Sequence, residues 1–549
     1  MKQMLANRTG ECSGTWSRPP TSFRKLNLMF SNSRRQEQAN KSSCCSSSVA
    51  SQHQTRVRAL ASRPSSSNEI GSASERTASL QSFVPSGSPE APWTNLRDRN
   101  KNEEWRFSAI TLSKILGDEA GDLNCHADWD SPVNASLLKE LGEEGLPNYR
   151  QVVMKDGIAI LDKSVGTCSS GVTLSPAFEG KAGSVLAFLA KQDEKRLESK
   201  DCPKKHFFDH LGDACTEQEH LVIHVEGTEE KEKEDEPHIV HIFHIVPKKE
   251  EESTVCWAPK CSVVVEGNQE VILVEEVVYE GEESGDPSSG ARIVLPKTRV
   301  FLHPEASMKH LLVHSGSRTK EVCVRSLQIT QEEKSSYELL ESRVGYAEDP
   351  SVVSATNASL SRVEVDVWQT GEETKTDMNH LSLLSTSTES SSASSGGAGI
   401  THELRTKGRL DYRGGEINQV AKMVASGSAS HCIFDGRVNI EKFAQETAAD
   451  QIARGLLLTR RATINARPNL RIQADNVTAA HGCTIADLEE DQLFYLSSRG
   501  IEEKMARAVL IDSFIREITQ LFGSGEEEEG PSFEKLAKRV DKAIEQALS

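Results

Sequence analysis

The chain has 549 residues, enough for several domains or for one large domain with appendages, and its mean hydropathy is −0.48. Only 36% of residues are hydrophobic and 5% aromatic, and no run of about 18 apolar residues occurs, which argues against a transmembrane helix and for sizeable parts outside any core. The formal charge of −18 is uneven: residues 1–80 carry twelve Lys or Arg and four acidic residues, a net of +8, so the remainder carries −26. That acidic body excludes sequence-independent nucleic-acid binding, which needs cationic surface to release counterions.

Residues 1–85 read as a targeting leader, rich in Ser and Arg and poor in acid, with runs such as Ser46-Ser47-Ser48 and Ser65-Ser66-Ser67. Such a composition cannot bury enough surface to fold alone. A plastid transit peptide is the first reading, a mitochondrial one the second, and a disordered cytosolic tail the plain alternative.

Residues 86–235 read as a mixed, largely helical region. The run Val185-Leu186-Ala187-Phe188-Leu189 predicts a helix, and Phe207-Phe208 with Leu211 extends it. Leu221-Val222-Ile223 predicts a strand, and the charge run from Glu229 to Glu236 a solvated loop.

From 236 to 486 the period changes to two. Ile239 to Ile242, Cys261 to Val265, Val271 to Val274, Val300 to Leu302, Leu311 to Val313 and the alternating Val363, Val365 and Val367 all predict strands. Turns are expected at Gly267-Asn268 and His303-Pro304, and a low-complexity loop near 370–400. Strands resume through Cys432 to Phe434, Arg437 to Ile440, Gly455 to Leu458, Ala462 to Asn465 and Leu470 to Gln473. Many short strands without interleaved helices predict a mainly β core. A sandwich, a barrel and a solenoid all fit, and no strict hexapeptide repeat chooses among them.

Over 487–549 the period returns to that of a helix. Met505, Val509, Phe514, Ile518, Leu521 and Phe522 form one stripe, with Gly523 as its stop. Glu526 to Glu529 make an acidic link, and Phe533, Leu536, Val540, Ile544 and Leu548 define a last amphipathic helix.

The twelve cysteines include no CxxC pair, which argues against a structural zinc site and for mostly reduced thiols. His238, His241 and His244 make an HxxHxxH run. On a strand that spacing puts successive rings on opposite faces, so the expectation is structural or surface histidines. The phosphate-binding G-x-x-x-x-G-K-[ST] loop, the G-x-S-x-G elbow and a G-x-G-x-x-G after a strand are all missing from the sequence. Scattered acidic residues nominate no glycosidase pair. The chain is expected not to be an enzyme in its own right.

The richest segment runs from Phe434-Asp435-Gly436 through Ala444-Gln445-Glu446-Thr447, Leu456-Leu457-Leu458, Pro468-Asn469-Leu470 and Ala480-His481-Gly482-Cys483-Thr484 to Phe494-Tyr495-Leu496 and Arg499-Gly500-Ile501. In order and spacing it resembles the C-terminal half of the SufB/SufD family, scaffold subunits of the SUF iron–sulfur cluster assembly machine. Trp93, Arg97, Arg99, Glu104, Trp105 and Arg106 resemble the family's Trp/Arg-rich N-terminal segment. The resemblance implies a right-handed parallel β-helix between two helical regions. It also implies a SufB-like partner, a SufC-like ATPase that alone holds ATP, and a nascent iron–sulfur cluster shared with the partner. Flavin binding is left open. Met505, Val509, Phe514 and Ile518 lie where the family docks SufC.

His481 occupies a family position near the SufB–SufD seam, where an imidazole suits iron. Its alternative role is to cap a β-helix turn. Many SufD chains carry Cys two residues earlier, where this chain has Ala479. Cys483 is expected to be a small buried hydrophobe, with ligation as the alternative. SufB has Glu after the His, whereas Gly482 stands here, and no Cys lies between Cys432 and Cys483, where SufB carries its essential one. The chain therefore resembles a plastid SufD. A SufB-like cluster-bearing scaffold and a β-helix polysaccharide-active enzyme are the rivals.

Overall fold

The structure is a computed structural model. It describes scattered stretches between 89 and 215, then 220–227, 237–246, 254–279, 291–316, 320–346, 358–386, 399–522 except 428, and 533–548. The leader expected over 1–85, Trp93, Arg97, Arg99, Glu104, Arg106, the 229–236 charge run, Gly523 and the acidic link 526–529 lie outside the described residues.

The chain alternates between two sheets whose neighbouring strands are parallel along the whole core. One sheet orders His220–Val225, Lys260–Val265, Lys297–Leu302, Glu321–Gln331, Ser359–Gln369, Ile400–Leu410, Ser430–Ile440 and Thr463–Ile472 side by side. The other orders His238–Val246, Glu270–Tyr279, Ser307–Ser315, Ser336–Tyr346, Lys375–Ser385, Glu416–Ser426, Thr447–Leu457 and Val477–Ala486. This is a parallel β-helix with helices before and after it. Equivalent residues such as Glu321, Ser359, Ile400 and Ser430 recur at changing intervals, which explains the missing sequence repeat.

Two boundaries differ from expectation. Tyr149–Lys155 already pairs in parallel with His238–Val246, burying Val152 and Met154, so the ladder starts within the region read as helical and not at 236. Lys375–Ser385 is a strand, where a loop was expected from about 370. Its Thr376, Met378 and His380 are buried in alternation with Asp377 and Asn379, and His380 through Leu384 are all buried.

One corner recurs at six successive turns. Asn268, Glu305, Lys334, Glu373, Gly414 and Glu446 all have φ between 54° and 72°, each just before a strand of the second sheet. The left-handed region costs a non-glycine residue about 1–2 kcal/mol. Stacking offsets it. The amide of Glu305 bonds the Glu333 carbonyl, Lys334 that of Glu372, Glu373 that of Arg413, Gly414 that of Gln445 and Glu446 that of Asn476, at 2.6–3.0 Å. From Glu305 onward each corner is thus hydrogen-bonded to the next turn.

Helices cover the outer faces. α1 (Ala109–Leu116) seats Leu112, Ile115 and Leu116 against Val322, Val324 and Leu360. α2 (Lys181–Glu198) packs Val185 and Leu189 on Val222, Val264 and Phe301, and α3 (Phe207–Cys215) is a separate helix. Beyond the ladder come α4 (Glu490–Ser498), α5 (Glu503–Thr519) and α6 (Glu534–Leu548). α5 and α6 bury Ile511, Ile515, Ile518, Leu536, Val540 and Ile544 against the second sheet. Arg539 of α6 clamps Glu276 at 2.7 and 2.8 Å.

The helix interior is not purely apolar. Glu275 is fully buried and accepts hydrogen bonds from Thr298 and His244 at 2.7 Å and from His310 at 3.1 Å, with Arg325 also on it. Burial alone would raise its carboxyl, but the Arg325 guanidinium and the two histidines outweigh that and hold it well below the ordinary range. His244 points into this cluster, while His241 faces outward to Glu276 at 3.3 Å, so the HxxHxxH run alternates faces as its spacing predicts. A second group follows along the axis: Glu341 stands 3.6 Å from His380 and 3.6 Å from His402.

Glu275→Leu should lower stability by about 3–5 kcal/mol, because it strands Arg325 as an uncompensated buried charge. Urea unfolding checks this, and Glu275→Gln should lose less.

A second expectation concerns acid. Burial pushes His402 down to about 4, with Glu341 opposing and Arg343 and His380 assisting. The unfolded chain takes up this proton near pH 6.5, while the folded chain refuses it until about 4. Stability is therefore lost as pH falls across that window, by about 2–3 kcal/mol between pH 7 and 4.5. His402→Leu should flatten this limb in unfolding measured across pH.

Candidate functional site

The β-helix ends on Thr463–Ile472 and Val477–Ala486, each the last strand of its sheet. Among the described residues nothing pairs with their outer edges. The turn is also open inside. Val477 and Ala479 still pack on the core, but His481, Cys483 and Ile485 on the same alternating row are exposed. Beneath them in register lie Gln451, Ala453 and Gly455. An unpaired edge of this length is a template for another chain.

His481 lies mid-strand, and its side chain makes no hydrogen bond among the described residues, so it caps no turn. Cys483 is exposed, which corrects the expectation of a packed thiol. The change follows from its place on the last turn, where no further strand covers it. A Cβ on Gly482 would meet nothing within 4 Å, so the glycine answers no steric demand.

Cys261, Cys323 and Cys432 behave differently. All are buried inside the helix, and burial pushes the Cys323 thiol up to about 12 and the other two well above the usual range. They stay protonated and are poor ligands. Among the described residues no three His, Cys, Asp or Glu side chains converge on a metal position. His481 and Cys483 would be a partial ligand set. Glu275 and Glu341 inside the helix and Glu276 beneath α6 on its outer face are all buried among His and Arg, which leaves them unsuited to work on an external polymer.

The predicted docking stripe divides. Met505 and Val509 are 60% and 45% exposed, whereas Ile518 is buried and Phe514 half-buried against the second sheet. The division follows from helix geometry: the two pairs lie roughly 140–180° apart around α5, and buried Lys422, which donates to the Phe514 carbonyl at 2.7 Å and pairs with Glu517, holds the helix to the sheet. The exposed pair instead continues into α4, whose Phe494 and Tyr495 are 76% and 57% exposed. Composition hid the interior charges; the only signal was Glu or His standing in phase with the apolar alternation, as in Leu339, Glu341 and Arg343.

A family model described as "SUF system FeS cluster assembly, SufBD core domain" matches residues 248–514. Over those residues, just under half of the chain, the sequence is similar to the SufBD core domain. The chain is 34% identical over 268 residues to "Protein ABCI7, chloroplastic" of Arabidopsis thaliana, covering 49% of this chain and 50% of that one. It is 31% identical over 261 residues to an iron–sulfur cluster assembly SufBD family protein of Synechocystis sp., covering 47% and 52%. With the iron–sulfur cluster assembly protein SufD of Escherichia coli it shares 32% over 117 residues, or 21% of this chain and 27% of that one. The chain spans about half the length of the first two relatives. The matched residues take in the β-helix from Thr254 onward and most of α5, and leave out the ladder strands Tyr149–Lys155, His220–Val225 and His238–Val246.

Phe514→Asp is expected to loosen α5 from the sheet and cost about 2–4 kcal/mol, through loss of the ring's packing there. Val509→Asp, on the exposed part of the same helix, should stay within about 0.5 kcal/mol. Thermal unfolding of the two variants checks the division of the stripe.

Proposed function

We propose that the chain is a non-catalytic, SufD-like scaffold subunit for iron–sulfur cluster assembly in plastids. The observation that carries this reading is the open last turn of the β-helix, with two bare parallel edges beside an exposed His481 and Cys483. A SufB-like chain adds its own last strands there, satisfying the edge amides and carbonyls. The nascent cluster is cargo held at the seam. His481 lends an imidazole nitrogen, and Cys483 is placed to lend a thiolate where Ala479 has none. The partner supplies the remaining ligands. A SufC-like ATPase docks on the exposed apolar surface of Phe494, Tyr495, Met505 and Val509, and ATP turnover belongs to it. The chloroplastic relative supports the plastid reading of the leader.

The test is reconstitution of the complex with its SufB-like and SufC-like partners. His481→Ala should leave the complex assembled and reduce retained iron and sulfide several-fold. Cys483→Ser should reduce it comparably if the thiol ligates, and little if it does not. Unchanged cluster content in His481→Ala, with the complex intact, would remove His481 from the ligand set.

A further inference from the structure

Inside the last turns a chain of polar side chains climbs toward His481. Gln419 Nε2 donates to Thr406 Oγ1 at 2.7 Å, and Gln451 Nε2 donates to Gln419 Oε1 at 3.1 Å. This direction leaves one acceptor at the top: Gln451 Oε1 is buried and has no hydrogen-bond partner among the described residues. A buried acceptor left unmade costs about 1–3 kcal/mol. The next residue on the same inward row, in register with Gln451, is His481. Neighbours on adjacent strands lie roughly 4.8 Å apart, so a turn of the imidazole brings a ring N–H onto that oxygen.

The interior is also shaped around the amide. A Cβ on Gly436 would stand 3.0 Å from Gln451 Nε2 and 2.4 Å from the Phe434 ring, so only glycine leaves room for both. Ala449 and Ala453 flank Gln451 on its own row and keep the space beside it small.

We infer that Gln451 is the positioning residue of His481: its side-chain carbonyl accepts the imidazole N–H and leaves the other ring nitrogen's lone pair facing out of the open turn. A neutral imidazole ligates only through the nitrogen without a proton, and an acceptor behind the ring decides which one that is. The ladder continues this direction below, with Thr406 accepting from Gln419 and Gln419 from Gln451. The consequence for cluster handling rests on the proposed ligand role of His481; the contact itself does not.

The experiment uses the full chain labelled with ring-15N histidine at pH 8, read by long-range proton–nitrogen correlation. His481→Gln assigns the His481 signals by their loss. The unmodified chain should show His481 as one tautomer with a slowly exchanging ring N–H. Gln451→Met, of similar length but without the acceptor, should return it to the averaged pattern of free imidazole. An averaged pattern in the unmodified chain overturns the inference, as does an unchanged single tautomer in Gln451→Met. If Gln451→Met does not fold, the unmodified chain decides alone: a single, exchange-protected tautomer supports the inference and averaging overturns it. The two readings separate cleanly. A locked tautomer with normal cluster content in His481→Ala sinks the ligand role and keeps the contact, while an averaged ring with lost cluster content does the reverse.

Discussion

A strand in a parallel ladder satisfies its backbone through both neighbours, one on each side. Along this β-helix each turn completes the one before it. At the beginning the requirement is met by short antiparallel strands, Ile158–Ile160 beside Tyr149–Lys155 and Val172–Pro176 beside His220–Val225. At the other end nothing described plays that part. The exposure of His481, Cys483 and Ile485 follows from that single asymmetry, because a residue on an inward row is buried only when another turn lies over it. The side chains that make the early turns self-sufficient, Glu275 with Arg325 and the histidines, give way near the end to Ala449, Ala453 and Gly455. The interior narrows to small groups where the helix stops.

The covering helices tie this end to the surface beyond it. Lys422 sits on Glu416–Ser426, one strand from Thr447–Leu457 and two from the strand of His481. Its ammonium holds the carbonyl of Phe514 on α5. A displacement of that helix therefore reaches the sheet at a defined point, through a charge-assisted hydrogen bond that is stiffer than apolar packing alone.

Much of the β-helix was legible because apolar residues alternate on its strands: Val363, Val365 and Val367 mark an inward row without help from any contact. The winding of those strands was not, since loops of unequal length break the period, and only the resemblance to the SUF scaffolds suggested it. His481 could be singled out from its flanking residues. Its surroundings could not: Gln451 lies thirty positions earlier in the chain and reaches it only through strand register. The helical stripe misled for a physical reason. At about 100° per residue, Met505 and Val509 lie roughly 140–180° around α5 from Phe514 and Ile518, so the four make two faces and not one stripe, and only the second meets the sheet. Cys483 misled similarly, for an alternating pattern identifies an inward row without telling whether anything closes over it.

The repeated left-handed corners divide the molecule into two rims of unequal tolerance. On the rim of Asn268, Glu305, Lys334, Glu373, Gly414 and Glu446, connections are short and hydrogen-bonded to one another. A single residue added there would turn every side chain of the following strand to the opposite face. On the other rim the interval from one strand to the next varies, as from Tyr346 to Ser359 and from Ser385 to Ile400, and the register is set elsewhere. Length can drift on that side through evolution, and an engineered reporter can be spliced into it, while the alignment of the stacked strands stays as it is.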